Sequence, residues 1–257
     1  MARILITGSS GGLGLLAGRH LAGRGHRVVL HARNASKAAA IRAALPEVVA
    51  VVEGDLETMA GMRAVADAAN ALGRLDAVIH NAGVGERGTD RLTADGLPVV
   101  LAVNVLAPYL LTALIERPDR LVYLSSSMHV GARPARLAAF WQGGRWTGRM
   151  SYSQTKLLVT ALAFAVARLW PEVRSNAVDP GWVPTRMGGS SAPDDLEEGA
   201  WTQAWLAEGA EPGALVTGQY LHRGRPARPD PATRDAGVQE EVLALCEQIS
   251  GVPLGRT

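Results

Sequence analysis

A tyrosine and a lysine four residues apart, in Tyr152-Ser-Gln-Thr-Lys156, can do proton chemistry. Positions i and i+4 share one face of a helix, so Lys156 is expected beside Tyr152. A phenol has a pKa of about 10 in water, and a neighbouring ammonium favours the phenolate. The pair is therefore expected to lower the tyrosine pKa and to trade a proton with an alcohol or alkoxide oxygen. Only Lys37 and Lys156 are lysines; every other basic side chain is arginine. A guanidinium cannot titrate there, whereas an ammonium on a flexible stem can. Read alone, the pair also fits an ordinary surface helix.

A second feature lies near the N-terminus. The apolar run at 3–7 leads into Gly8-Ser-Ser-Gly-Gly12-Leu-Gly14, and a helical pattern follows directly. Glycines let a backbone turn tightly and approach a pyrophosphate, and the helix N-terminus offers free N–H groups to it. An ordinary strand-to-helix turn is the plain alternative.

These residues need a scaffold. Short runs apolar on both faces occur at 3–7, 27–32, 48–52, 77–80, 121–125 and 175–178. Helical patterns lie between them at 13–24, 35–45, 57–72, 98–116 and 151–169. Strands covered on both faces and alternating with helices predict an α/β fold, a doubly wound parallel sheet of Rossmann type, with helices on both faces. The 257 residues suit a single nucleotide-binding domain spanning 1–257. Residues 183–200 are Gly-, Pro- and Ser-rich and read as a substrate loop or lid, 223–235 read as a solvated loop, and 236–249 as a C-terminal helix.

The spacing Thr7-Gly8-x-x-x-Gly12-x-Gly14 resembles the short-chain dehydrogenase/reductase family. Gly54-Asp55-Leu56, Asn81-Ala82-Gly83 and Tyr152-x-x-x-Lys156 follow in that family's order, and the resemblance covers nearly the whole chain. It implies an NAD(P)-dependent oxidoreductase acting on a carbonyl or alcohol, with Tyr152 as acid and base. It implies cofactor contacts at Thr7, Gly8, Ser10, Gly12, Leu13 and Gly14. Asp55 and Leu56 would lie at the adenine, and Asn81, Ala82 and Gly83 beside the cofactor. Tyr152 and Lys156 would touch it as well. In Asp179-Pro180-Gly181-Trp182-Val183-Pro184-Thr185, it places Pro180, Gly181, Val183 and Thr185 at the nicotinamide. It also picks Ser126 as the hydroxyl that bonds the substrate oxygen, with Ser125 and Ser127 as flanking alternatives. Asn104 matches the family's helix-breaking Asn, which holds a water linking the lysine to solvent. An amide within so apolar a run costs stability unless it is hydrogen-bonded.

The second strand ends Ala32-Arg33-Asn34, without the acidic residue that would bind a ribose 2′-hydroxyl. Arg33 can hold a 2′-phosphate instead, which points to NADP, with NAD the alternative and a solvated Arg33 the plain reading.

The 26 residues from Ser126 to Tyr152 contain Phe140, Trp141 and Trp146 and begin with a Ser-Ser-x-x-His129 pattern. This resembles the retinol-dehydrogenase-like branch and implies an apolar substrate. His129 either lines the pocket or caps a turn. Trp182, Met187 and Trp201 are candidate pocket walls or core residues.

Other function classes are disfavoured. Hydrophobic residues at 47% exclude disorder. A net charge of +2 without charge blocks argues against nucleic acid. The apolar runs at 99–115 and 157–170 fall short of the ~20 residues that span a bilayer, and no signal peptide is evident. With the lone Cys246, these features predict a cytoplasmic protein without a cysteine metal site. The all-round apolar 157–170 helix suggests a homo-oligomer or cover by the C-terminal segment. A non-catalytic NAD(P)-binding regulator on the same fold is the alternative function; it would be expected to lack Tyr152 and Lys156.

Overall fold

The computed structural model describes residues 1–85, 91–133 and 137–255. Eight strands form one sheet. The first five are β1 (Arg3–Ile6), β2 (Arg27–Ala32), β3 (Ala50–Glu53), β4 (Ala77–His80) and β5 (Arg120–Leu124). Residues 141–142 (β6) and 145–146 (β7) form a separate hairpin, and β8 (Arg174–Asp179), β9 (Tyr220–His222) and β10 (Arg225–Pro226) complete the large sheet. Its order is β10-β9-β8-β5-β4-β1-β2-β3, parallel throughout except for β10. The order reverses between β1 and β4, and ligands bind at the carboxyl ends of strands at such a point.

Side chains alternate across each strand. Leu5 joins one core layer and Ile4 and Ile6 the other, all fully buried. The first layer lies under α3 (Met59–Ala71), α4 (Val99–Leu101) with α5 (Ala107–Leu114), and α7 (Tyr152–Leu169). The short α6 (Leu137–Phe140) and α9 (Ala236–Ser250) adjoin it. Helices α1 (Gly12–Gly23), α2 (Ala35–Ala44) and α8 (Leu196–Glu208) cover the second layer.

Three features depart from the sequence reading. Helix α8 lies where only a loop was expected at its start; Asp195 caps it by accepting the N–H of Glu198 at 2.8 Å. The 223–235 segment is not wholly a solvated loop, because Arg225–Pro226 pairs with β9. Between α4 and α5, residues Ala102–Leu106 form a π-helical turn around Asn104, so the 98–116 helix is not regular.

The second apolar face of α7 is covered by the chain itself. Arg168 bonds Gln239 and Glu240 of α9, Arg234 stacks 4.6 Å over Phe164, and Trp170 Nε1 donates to the Gly255 carbonyl. Among the described residues, no helix is long and apolar enough to cross a membrane.

Candidate active site

The phosphate end of the site is built at the β1–α1 turn. Gly8 takes a left-handed φ of 64°, and a Cβ there would come within 2.6 Å of Ala82 Cα. A Cβ at Gly14 would run into the Asn81 amide. That amide donates to the carbonyls of Thr7 (2.8 Å) and Gly8 (3.2 Å), and Thr7 Oγ1 accepts the N–H of Ala82 at 3.0 Å. Thr7, Gly8, Asn81 and Ala82 thus lock the β1 and β4 turns together. Ser10 and Gly12 are exposed at the loop tip. No side chain caps the start of α1, and no acid sits in its first turn. Free N–H groups at an uncapped helix start fit a phosphate.

Other predicted contacts gather around this turn. A Cβ at Gly12 would meet the Thr185 methyl at 3.4 Å, and one at Gly199 would meet Leu13, Val183 and the Pro180 carbonyl. Gly181 follows, its N–H donated to Asp179 Oδ1 at 3.0 Å. Asp55 Oδ1 accepts the N–H of Glu57 at 3.0 Å, while the Leu56 side chain is buried in the core. Arg33 is exposed just beyond β2.

The proton chemistry lies at the end of β5 and the start of α7. A capping box fixes that helix start: Ser151 Oγ accepts the N–H of Gln154, and Gln154 Oε1 accepts that of Ser151. Tyr152 is the first helical residue, and it hydrogen-bonds Ser126. The flanking serines separate: Ser125 is buried and bonds Thr160 Oγ1 at 2.6 Å, and Ser127 is exposed. Lys156 is buried, with Nζ donating to the Leu124 carbonyl at 2.7 Å and lying 5.4 Å from the Tyr152 ring centre. Gly83 adjoins both Lys156 Nζ and Asn104 Oδ1. The Asn104 amide is engaged by protein: Oδ1 accepts the N–H of Val84 at 2.8 Å, and Nδ2 donates to Val84 O and Thr155 Oγ1, both at 3.0 Å.

The electrostatics differ from the sequence expectation. The Tyr152 pKa is not lowered but pushed up to about 12. Burial disfavours the phenolate, the Ser126 bond opposes that, and the Asp179 charge adds to it. Burial brings Lys156 down to about 8, against the pull of Asp179. The resting tyrosine is a phenol.

A cleft of about 390 Å³ opens beside Ser126, lined by Ser127, Asp179, Trp182, Tyr220 and His222 among others. Met187 lies against Gly85, and Trp201 stacks on Trp205 of α8; neither is among the residues lining this cleft. Phe140 stacks on Trp146 in the β6–β7 hairpin, away from the cleft lining. His129 is fully buried: Nδ1 donates to the Ser126 carbonyl (2.7 Å), and Nε2 accepts the N–H of Asp230 (3.0 Å). It pins a turn rather than lining the cleft.

Sequence reasoning missed four site residues. His31 is the polar residue in the buried run of β2 and could have been found there, whereas Asp179 ends a strand that already carries Ser175 and Asn176. Tyr220 and His222 gave no signal, because a three-residue strand is too short for periodicity.

The sequence profile of the family described as short chain dehydrogenase matches residues 2–121. The chain is 41% identical to an uncharacterized oxidoreductase of Emericella nidulans, covering 98% of each. It is 39% identical to the short-chain dehydrogenase chyC of Penicillium rubens, covering 99% of each. A crystal structure of an uncharacterized protein from Mycobacterium Paratuberculosis superposes with a TM-score of 0.82 at 26% identity, covering 99% of this chain and 95% of that one. With such identity sustained from end to end on a Rossmann-type sheet, the chain belongs to the short-chain dehydrogenase family and is an oxidoreductase.

Proposed function

We propose that this oxidoreductase reduces a small-molecule carbonyl to an alcohol with NADPH, the 1–257 chain acting as one unit. The carrying observation is that half-buried Ser126 and Tyr152 interact at the end of β5, with buried Lys156 beside them and Tyr152 held as a phenol. When bound, the reduced nicotinamide supplies the hydride. The uncapped α1 start and the glycine turn fit its phosphates, and the exposed Arg33 fits a 2′-phosphate.

The chain's own groups do the rest. Ser126 donates a hydrogen bond to the carbonyl oxygen and strengthens it as negative charge develops. Tyr152 delivers the phenolic proton to that oxygen. Lys156, while protonated, stabilises the phenolate left behind. Asn104 braces the 83–84 turn and Thr155, and so positions Lys156 from both sides. A raised tyrosine pKa suits reduction, in which the group must begin protonated.

The test follows NADPH absorbance with a panel of aldehydes and ketones. Turnover of at least one carbonyl, abolished in Tyr152→Phe, is expected. Normal NADPH binding without turnover of any carbonyl would overturn the reading in favour of a nucleotide-binding regulator.

A further inference from the structure

One wall of the cleft is built from the ends of β8 and β9, where Asp179 pairs in register with His222 and lies near enough for its charge to act on Tyr152. The Tyr220 hydroxyl lies 3.1 Å from Asp179 Oδ2. A carboxylate only accepts, so the phenol donates and its oxygen keeps lone pairs to spare. Burial and the adjacent carboxylate both raise the Tyr220 pKa, so it stays a phenol. His222 Nδ1 lies 3.2 Å from the Asp179 carbonyl oxygen. A carbonyl also only accepts, so His222 Nδ1 carries a proton there, and Asp179 Oδ2 lies 3.8 Å from the same nitrogen.

Asp179 and Tyr220 therefore offer lone pairs on this wall and have no hydrogen to spare. Tyr220 is held from behind by His129, whose ring sits 4.8 Å away and whose Nδ1 bonds the Ser126 carbonyl. One histidine thus ties the donor side of the cleft to the acceptor side. Arg228 also lines the cleft but is exposed, where water screens its charge; Asp179 is buried and its charge is not so screened.

We propose that the cleft selects carbonyl substrates carrying a hydrogen-bond donor, an amide N–H, hydroxyl or ammonium, which Asp179 and Tyr220 receive while the carbonyl oxygen meets Ser126 and Tyr152. This rests on the carbonyl-reductase reading and adds the substrate class to it. Substrates ending in a carboxylate are repelled by Asp179.

Three matched ketones test it: acetoacetamide, N,N-dimethylacetoacetamide and acetoacetate. Turnover is read by NADPH absorbance, and ketone binding by NADPH fluorescence in the Tyr152→Phe complex, which cannot complete the reaction. Acetoacetamide is expected to exceed its dimethyl analogue by about 10-fold or more in kcat/KM and in affinity, as loss of a bond to a charged or buried partner implies. Acetoacetate should be poorest. Tyr220→Phe removes one acceptor and keeps the ring, Asp179→Asn turns a carboxylate acceptor into an amide of the same shape, and the preference should fall towards one in both. A wild-type ratio near one, a preference for acetoacetate, a ratio untouched in both variants, or no ketone binding would each overturn the proposal. If the Tyr152→Phe complex discriminates the ketones but wild type turns none over, the reductase reading fails and the recognition stands.

Discussion

The Nδ1 atom of His31 accepts the N–H of Gly8 at 2.9 Å. Its Nε2 lies 2.8 Å from the Gly54 carbonyl, so one buried ring ties the phosphate turn to the turn carrying Asp55. Ser9 locks the same corner, its hydroxyl accepting the His31 N–H at 2.8 Å and donating to the Ile6 carbonyl at 2.8 Å. Only neutral imidazole protonated on Nε2 makes both His31 bonds. Burial lowers its pKa, against smaller opposing effects of the Gly54 bond and the Asp55 charge. Cofactor affinity in wild type is therefore expected to stay flat down through pH 6.5 and to fall only at lower pH, where the buried ring finally takes up a proton. In His31→Gln the NADPH Kd should rise about 10-fold at neutral pH and lose that acid dependence. Fluorescence titration across pH 5–8 measures both; an unchanged Kd in the variant would refute this role.

Tyr152→Phe removes one hydroxyl and keeps the ring. Turnover should drop by about 10²–10⁴-fold, the usual worth of general acid catalysis, with NADPH binding intact. Stopped-flow turnover beside a cofactor titration checks it, and near-normal turnover would sink the mechanism.

Arg33→Ala should weaken NADPH far more than NADH. One charge-assisted hydrogen bond is worth about 1.5–3 kcal/mol, or roughly 10- to 100-fold. Equal losses for the two cofactors would show that Arg33 does not meet a 2′-phosphate.

Lys156 titrates near 8, so it is charged below that pH and neutral above it. Reduction should slow as pH rises through about 8, because the ammonium that stabilises the Tyr152 phenolate is lost. Lys156→Arg keeps its charge throughout that range and should flatten this limb of the kcat profile at a lower overall rate. A wild-type profile flat from pH 7 to 9 would contradict the assignment.

His80 is fully buried against Tyr123, and burial drives its pKa down to about 3 from 6.5. The unfolded chain binds the proton first, so stability is intact above pH 6.5 and is lost as pH falls towards 3. The loss reaches roughly 4 kcal/mol by pH 3. Urea melts of wild type and His80→Phe from pH 7 to 4 should converge on acidification; parallel curves would rule out His80 as the cause.

Much of this architecture was legible in the residues. Short runs such as Ile4–Ile6, apolar on both faces and closed by glycines, fit strands of a covered sheet, and the Gly8–Gly14 spacing located the phosphate turn between strand and helix. Boundaries shifted where capping decides them: α3 starts at Met59 because Thr58 caps it, not at Glu57. Helix α8 was hidden because its Asp195 cap closes a Gly- and Ser-rich stretch that reads as loop. Strands β9 and β10 have three and two residues and hold their place by pairing, which no local pattern announces. The Tyr152 pKa ran opposite to expectation because i, i+4 spacing reveals a neighbour's charge but not the depth of burial. Lys156 also turns its ammonium to Leu124 O. Likewise, periodicity exposed the apolar second face of α7 but could not say that α9 covers it.

That cover is made late. Lys156 precedes the start of α9 by 80 residues. At about 5–20 residues per second, translation takes on the order of ten seconds to cross the interval. During it α7 presents an uncovered apolar flank, the kind of surface that chaperones bind and that drives aggregation. Competence for turnover is therefore acquired near the end of synthesis, and a nascent chain arrested before residue 236 carries every proposed catalytic side chain without the support that holds their helix.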